Sequence, residues 1–422
     1  MTRLLRYLIT AVFMVITGVV LLAGGFIAGR LSATQGLVIP GLTGPSAAQT
    51  GTPADLAQTF APFWQAWTIV HQEYVDQPVK DIDLMQGAIR GMMGALGDSH
   101  TLYESPSESQ ISDTSLSGEL EGIGATVDPD PNGLVIVSPL PSSPAEGAGL
   151  LPNDLIIQVD GKDLAGMNYY DAIALVRGPA NSKVHLTVVR AGVDKPLEFD
   201  LVRAKITIPS VESKLLTGQI GYIKINTFGQ QTPSELRAAL NTLLKQNPSG
   251  LVLDLRNDPG GYLDTAIDVA SQFLPTGTVV MREKYGDGHE DVFNAKSGGL
   301  ATDIPMVVLV NKGSASASEI LAGAIQDNQR GVIIGETSYG KGTVQQIHPL
   351  QQDAGVIRVT IARWLTPTGR SIDKVGITPN TTVAMTAEDV AAKRDPQLDK
   401  ALSVLGQPGG SLPAPRLLQL AQ

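Results

Sequence analysis

Residues 305–325 read PMVVLVNKGSASASEILAGAI: an apolar strand, a turn of small residues and an apolar helix in one unbroken run. Met306–Val310 has the composition of a strand covered on both faces, and Ser318–Gln326 that of a helix. The same alternation extends both ways. Gly221–Ile225 reads as a strand, Pro233–Leu244 as a helix, and Gly250–Leu255 as a further strand. Asp264–Leu274 is a further helix, and Val279–Met281 and Val332–Ile334 are short strands. Repeated strand–helix alternation predicts an α/β core, a mostly parallel sheet covered by helices. No internal repeat is visible.

Upstream the pattern changes. Between Gly118 and Arg203 the chain predicts short strands at Leu134–Val137, Asp154–Val159, Val184–Arg190 and Leu197–Val202. One helix, with Asn168 as N-cap, runs through Val176, and Pro144–Gly149 reads as a turn. This describes a small β-rich module. Earlier still, Leu56, Phe60, Phe63, Trp67 and Val70 recur at helical spacing. That stripe predicts a helix with one buried face, and the alternative is the seam of a homodimer. A second helix is expected at Ile82–Leu96. Residues 31–52 mix Gly, Pro, Ser and Thr without period and read as a linker.

The first thirty residues carry the plainest physical signal. Tyr7–Gly29 is an uncharged apolar run of 23 residues, flanked by Arg3, Arg6 and Arg30. As a helix it is roughly 34 Å long, enough to cross a bilayer. A single-pass transmembrane anchor is the expectation, with a cleaved signal peptide as the alternative. Either places the rest of the chain outside the cytoplasm. The net charge of −10 argues against nucleic acid as a partner, since phosphate binding needs a basic face. With no cysteine, disulfides and thiolate chemistry are excluded. The five histidines are scattered without metal-site spacing, so no metal or cofactor is expected.

Three segments could carry chemistry. The Gly-Ser-Ala-Ser-Ala-Ser turn, 313–318, can present a hydroxyl beside the free N–H groups of a helix start, where an oxyanion would sit well. The same serines could equally be N-caps. In GETSYGKGTVQ (335–345), Lys341 lies between two glycines. If Gly342–Ile347 is a strand, Lys341, Thr343 and Gln345 share a face, and Gln345 could orient the amine. A Lys in an apolar pocket loses its charge more readily and can then accept a proton. A solvated surface charge is the alternative. Residues 335–341 also fit the start of a phosphate-binding P-loop, but position 342 is Gly rather than Ser or Thr, and TVQQI reads as a strand. In DLRNDPGG (254–261), paired glycines let backbone N–H groups approach a ligand, or simply make a turn.

Taken together, these segments resemble the C-terminal processing peptidases, or tail-specific proteases. The resemblance covers roughly residues 60–402. It runs through YVD (74–76), LGDSHTLY (96–103), SPAEGAGLLPNDLIIQVDG (143–161), VRGPANSKVHLTV (176–188) and DLRNDPGG. NKGSASASEILAGAI (311–325), GETSYGKGTVQ and LTPTGRSID…GITPN (365–380) complete it. It implies Ser316 as nucleophile, Lys341 as general base and Gln345 as the residue positioning the lysine. It further implies an oxyanion hole at the N–H of Ala317 and of Gly260 or Gly261. Ser314 becomes structural and Ser318 supporting. Two departures are visible: Asp258 where the family often has Asn, and Asn380 where it often has Asp. Neither belongs to the implied dyad.

The implied fold is a crotonase-like α/β peptidase core, 206–385, with a PDZ domain, 118–205, inserted after an N-terminal helical region, 53–117. A C-terminal helical tail, 386–422, follows. Gly122, Ile123, Gly124 and Ala125 match the PDZ loop that holds a terminal carboxylate, and Arg177 matches a residue that helps to switch activity in relatives. The expected activity is serine endopeptidase, with protein substrates whose free, apolar C-termini are captured by the PDZ domain. A non-catalytic PDZ scaffold is the alternative, disfavoured because Ser316, Lys341, Gln345 and both glycines are present together.

Overall fold

The apolar runs of the C-terminal half pair as their pattern requires, in a computed structural model that describes residues 53–406. Six strands form one sheet in the order Val211–Leu216, Ile220–Ile225, Gly250–Asp254, Met306–Val310, Val332–Gly335, Thr381–Thr382. The first pair is antiparallel and the other four are parallel. Alternate side chains serve opposite faces. Leu251, Leu253, Met306 and Val308 pack with Leu236, Ala266 and Ile320 of the helices Thr232–Leu244, Leu263–Ala270 and Ala317–Asp327. Val252, Val307 and Leu309 pack with Ala401 of the helix Pro396–Gly406. The inner strand Met306–Val310 is buried and apolar at every position because both its faces are covered, which is why it reads as a continuous run. Each fully buried Leu or Ile contributes about 1.5–3 kcal/mol.

A second sheet was only partly foreseen. Leu102–Glu104, Val356–Leu365, Val279–Tyr285 and Glu290–Asn294 form it in that order, and Thr343–Pro349 also pairs with Val356–Leu365. All its pairs are antiparallel. The expected strand at Val279–Met281 continues to Tyr285.

The β-rich module is an antiparallel sheet in the order Ala125–Asp130, Gly133–Pro139, Leu155–Val159, Lys183–Val189, Leu197–Val202. Its helix is Tyr169–Val176, and Asn168 Oδ1 accepts from Tyr170 N at 2.9 Å, as the N-cap reading requires. Where a turn was expected after Ser143, the chain instead makes one helical turn, Pro144–Gly147, with Ser143 Oγ accepting from Glu146 N. Unforeseen was the helix Pro106–Ser117, started by a capping box between Ser105 and Glu108.

The described chain divides into two compact units, one ending at Asp81 and the other beginning at Ile82. The first contains the expected helix, Ala57–Glu73, but none of its residues is buried, so the predicted buried face is corrected. Phe60 is 38% and Trp64 47% exposed, and the aromatics pack on each other, with Phe63 and Trp64 centroids 4.9 Å apart. The periodicity specifies the helix, not what covers its apolar side. The apolar run Tyr7–Gly29, the linker 31–52 and the tail beyond 406 lie outside the described residues. Among the described residues, no helix is long and apolar enough to cross a membrane.

Candidate active site

The buried strand Met306–Val310 delivers the chain into a turn whose conformation only tertiary contacts can hold. Ser314 is fully buried; its Oγ donates to Leu255 O at 2.7 Å and accepts from Asn311 N at 3.0 Å. It is therefore a structural pin. Ser316, two residues on, is partly exposed and adopts φ 55°, ψ −115°. For a residue with a Cβ this costs of order 1–3 kcal/mol, which the surrounding contacts must offset. The strained turn sets Ser316 at the mouth of the helix Ala317–Asp327, with the Ala317 N–H in its first turn.

The Asp258-Pro-Gly-Gly turn packs against this one. Asn311 Oδ1 accepts from Asn257 N at 2.9 Å, and Ala315 N donates to Asp258 O at 3.0 Å. Ser318 Oγ donates to the same carbonyl at 3.1 Å. Gly260 has φ +99°, and a Cβ there would lie 2.7 Å from Ala315 O, 2.8 Å from Ser316 Cβ and 2.9 Å from Ala317 N. Only glycine fits. Gly261 is just as tight, since its Cβ would be 2.2 Å from Phe228 O. The two glycines differ in one respect: Gly260 N already donates to Asp258 Oδ1 at 2.8 Å.

Glu319 joins the Ser316 turn to the Lys341 loop. It is fully buried, and its Oε2 accepts from Ser316 N at 2.8 Å and from Lys341 N at 2.9 Å. Its Oε1 accepts from Gly340 N at 2.7 Å and from Ser338 Oγ at 2.6 Å. One carboxylate oxygen thus ties the backbones of Ser316 and Lys341 to a common point. The sequence reading gave Glu319 no role, although Ser316-x-x-Glu319 has the spacing of a capping box and could have pointed to it.

Among the described residues, no hydrogen bond or ion pair reaches the Lys341 Nζ. Burial lowers its pKa from the ordinary lysine value and the Arg358 guanidinium adds to this, while Asp98 and Glu319 act the other way. Arg358 is itself held by Glu104 Oε1 at 2.9 Å. Burial disfavours the charge on Asp98, yet hydrogen bonds from Thr360, His100 N and Thr101 bring its pKa down to about 2. Trp364 Nε1 donates to Lys341 O at 2.8 Å and fixes the loop. Gln345 and Thr343 do share a face, but the Gln345 amide donates to Thr343 Oγ1 at 2.8 Å and Thr360 Oγ1 at 3.2 Å rather than meeting the lysine amine. A cavity of about 670 Å³ opens beside this loop, lined by Asp98, His100, Tyr339, Gly340, Thr343 and Arg363 among others. A strand, not a helix, follows Gly342, so the phosphate-loop reading lacks its helix.

In the β-rich module, the strand Ala125–Asp130 is the outer one of its sheet, open to an added strand. Gly122 pairs with Ala204, the Ile123 and Gly124 carbonyls accept from Ala145 N and Leu140 N, and Gly124 has φ +75°. Arg177 lies beside the loop: a Cβ on Gly122 would meet its Cα at 3.5 Å and Cγ at 3.7 Å. Its buried Nη1 has no hydrogen-bond partner among the described residues. Tyr169 OH donates to Val127 O on the edge strand at 2.9 Å.

The chain is similar in sequence to known proteins. The model of peptidase family S41 matches residues 219–383. Over 350 residues the chain is 39% identical to a carboxyl-terminal-processing protease of Synechocystis sp., covering 81% of each chain. The chain belongs to peptidase family S41. It is 40% identical over 340 residues to a carboxy-terminal-processing protease of Bartonella bacilliformis, covering 79% of this chain and 77% of that one. A solved photosystem II D1 C-terminal processing protease is 30% identical, with 83% of this chain and 98% of that chain covered and a TM-score of 0.48. As an S41 peptidase the protein also carries a PDZ domain, matched over 135–190. The N-terminal domain of the activating protease CtpB matches 40–106.

Proposed function

We propose that this S41 peptidase is a serine endopeptidase that cleaves envelope proteins near their C-termini by a Ser–Lys mechanism. Ser316 Oγ attacks the scissile carbonyl, and neutral Lys341 takes the hydroxyl proton. The oxyanion is held by the N–H of Ala317 and of the Gly260-Gly261 turn, and Lys341 returns the proton to the leaving amine. Water then hydrolyses the acyl-enzyme by the same route. The observation that carries this reading is the strained Ser316 at a helix start, clamped by Glu319 to the loop of a partly buried lysine. Gln345 is the residue that positions Lys341 in this reading, and here its amide is held by the Thr343 and Thr360 hydroxyls.

The PDZ domain, taken as 118–205 and inserted before a crotonase-like core at 206–385, captures free, apolar tails as an added strand beside Ala125–Asp130. Gly122–Ala125 meets the carboxylate, and Arg177 relays occupancy. The apolar run Tyr7–Gly29 anchors the chain in the cell membrane as a single pass, with the peptidase outside the cytoplasm. The uncovered aromatic side of Ala57–Glu73 suits a homodimer seam.

The deciding experiment compares Ser316→Ala with Ser314→Ala on an unfolded protein with an apolar C-terminus. Ser316→Ala abolishes cleavage. Ser314→Ala keeps the chemistry but loses about 1–3 kcal/mol of stability, because the buried Leu255 carbonyl loses a donor and the Asn311 N–H its acceptor. Equal loss of turnover in two folded variants sinks the assignment.

A further inference from the structure

We propose that Asp258 is a positioning residue whose neutral form is required for acyl transfer, so that its ionisation weakens the Gly260-Gly261 side of the oxyanion hole. This rests on the reading of Ser316 as the nucleophile.

Asp258 is fully buried. Its Oδ1 accepts from Gly260 N at 2.8 Å, and its Oδ2 is buried with no hydrogen-bond partner among the described residues. A carboxylate with one donor and one bare oxygen is a costly thing to bury. The neutral acid suits the site better, with its proton on Oδ2, since Oδ1 already accepts an N–H. Lys224, from the strand Ile220–Ile225, is the charged group that favours ionisation, and from the helix Ala317–Asp327 the Ser318 hydroxyl acts in the same direction. Burial outweighs them and brings the carboxyl up to about 7.

The position makes that charge matter. The Asp258 carbonyl accepts from Ala315 N, next to the nucleophile, and the Gly260 it grips packs against Ser316 and Ala317. Ionisation has two effects, both adverse. A charged oxygen holds the Gly260 N–H more strongly and fixes that turn toward Asp258. It also places a negative charge behind the peptide that must stabilise a developing oxyanion. Asn at this position could make the first contact but could never acquire the charge.

The test is the pH dependence of kcat/KM for the full chain on an internally quenched peptide with a free apolar C-terminus, from about pH 5 to about pH 10. For the wild type the rate climbs about tenfold per pH unit as Lys341 loses its proton, then levels near neutrality where Asp258 ionises. Asp258→Asn continues to climb, so its advantage over the wild type grows by about tenfold per unit above neutrality. A constant ratio at every pH overturns the proposal, including when thermal unfolding shows that only stability has changed. Should the Asn variant not fold, the wild-type profile decides alone: an unbroken climb through neutral pH refutes it. Full activity in Ser316→Ala refutes the nucleophile assignment instead.

Discussion

Glu319→Gln removes one charge and rearranges four donors without changing the side chain's shape. In the wild type, Oε2 accepts the Ser316 and Lys341 N–H groups, and Oε1 accepts the Gly340 N–H and the Ser338 hydroxyl. A glutamine has one oxygen and one NH₂. With its oxygen toward Ser316 and Lys341, the NH₂ faces Gly340 N–H, a donor against a donor, while the Ser338 hydroxyl can turn to accept. The opposite flip sets the NH₂ against both Ser316 and Lys341. The first orientation leaves one buried N–H unpaired and weakens the remaining contacts, a loss of about 2–4 kcal/mol. Freed by even part of an ångström, the Ser316 and Lys341 loops lose alignment, for about a hundredfold fall in kcat. Charge supplies a separate signature. Glu319 raises the pKa of Lys341, so the neutral variant lets that pKa fall, and the acid limb of kcat/KM moves to lower pH. Urea unfolding and the pH–rate profile measure both. Wild-type stability with wild-type turnover, or an acid limb displaced upward, would refute the clamp.

Four other outcomes follow from the same geometry. Lys341→Arg is as inactive as Lys341→Ala at every pH in peptide hydrolysis, because guanidinium stays charged and cannot take a proton; substantial activity would exclude the lysine base. Gly260→Ala forces a Cβ within 2.7 Å of Ala315 O at φ +99°, and kcat should drop about a hundredfold. Asp258, with a folded pKa near 7 against an ordinary 3.8, binds a proton more tightly when folded. Stability therefore falls as pH rises between those two values, by up to about 4 kcal/mol, and Asp258→Asn flattens that dependence in thermal unfolding. Amidating a substrate's C-terminus should weaken binding at the PDZ loop at least tenfold, read by calorimetry, since about 1.4 kcal/mol is lost with one charged contact; equal affinities would mean the loop reads something else.

Much of this was legible in the sequence. Met306–Val310 announces itself because a strand covered on both faces is apolar at every position, and Gly250–Asp254 nearly so, with Asp254 at its end paired to Arg256. Leu197–Val202 and the Asn168 cap are equally local. The 313–318 turn, Lys341 between its two glycines and the Gly260-Gly261 pair stood out as candidates because small residues cluster where a chain must turn tightly, but only the family resemblance chose Ser316 among the three serines and Lys341 as its base. What local pattern could not convey is pairing over distance. Leu102–Glu104 and Thr343–Pro349 both join Val356–Leu365, which brings Asp98, Arg358 and Lys341 into one electrostatic neighbourhood from segments more than two hundred residues apart. The Phe60–Trp67 stripe defined a helix but not its covering, since periodicity encodes a face and not a partner. Asp258 reads as a minor departure in the sequence. Only the fold buries it, leaves one oxygen without a partner among the described residues and sets it against the Ser316 turn, because burial and charge depend on neighbours that the order of residues does not name.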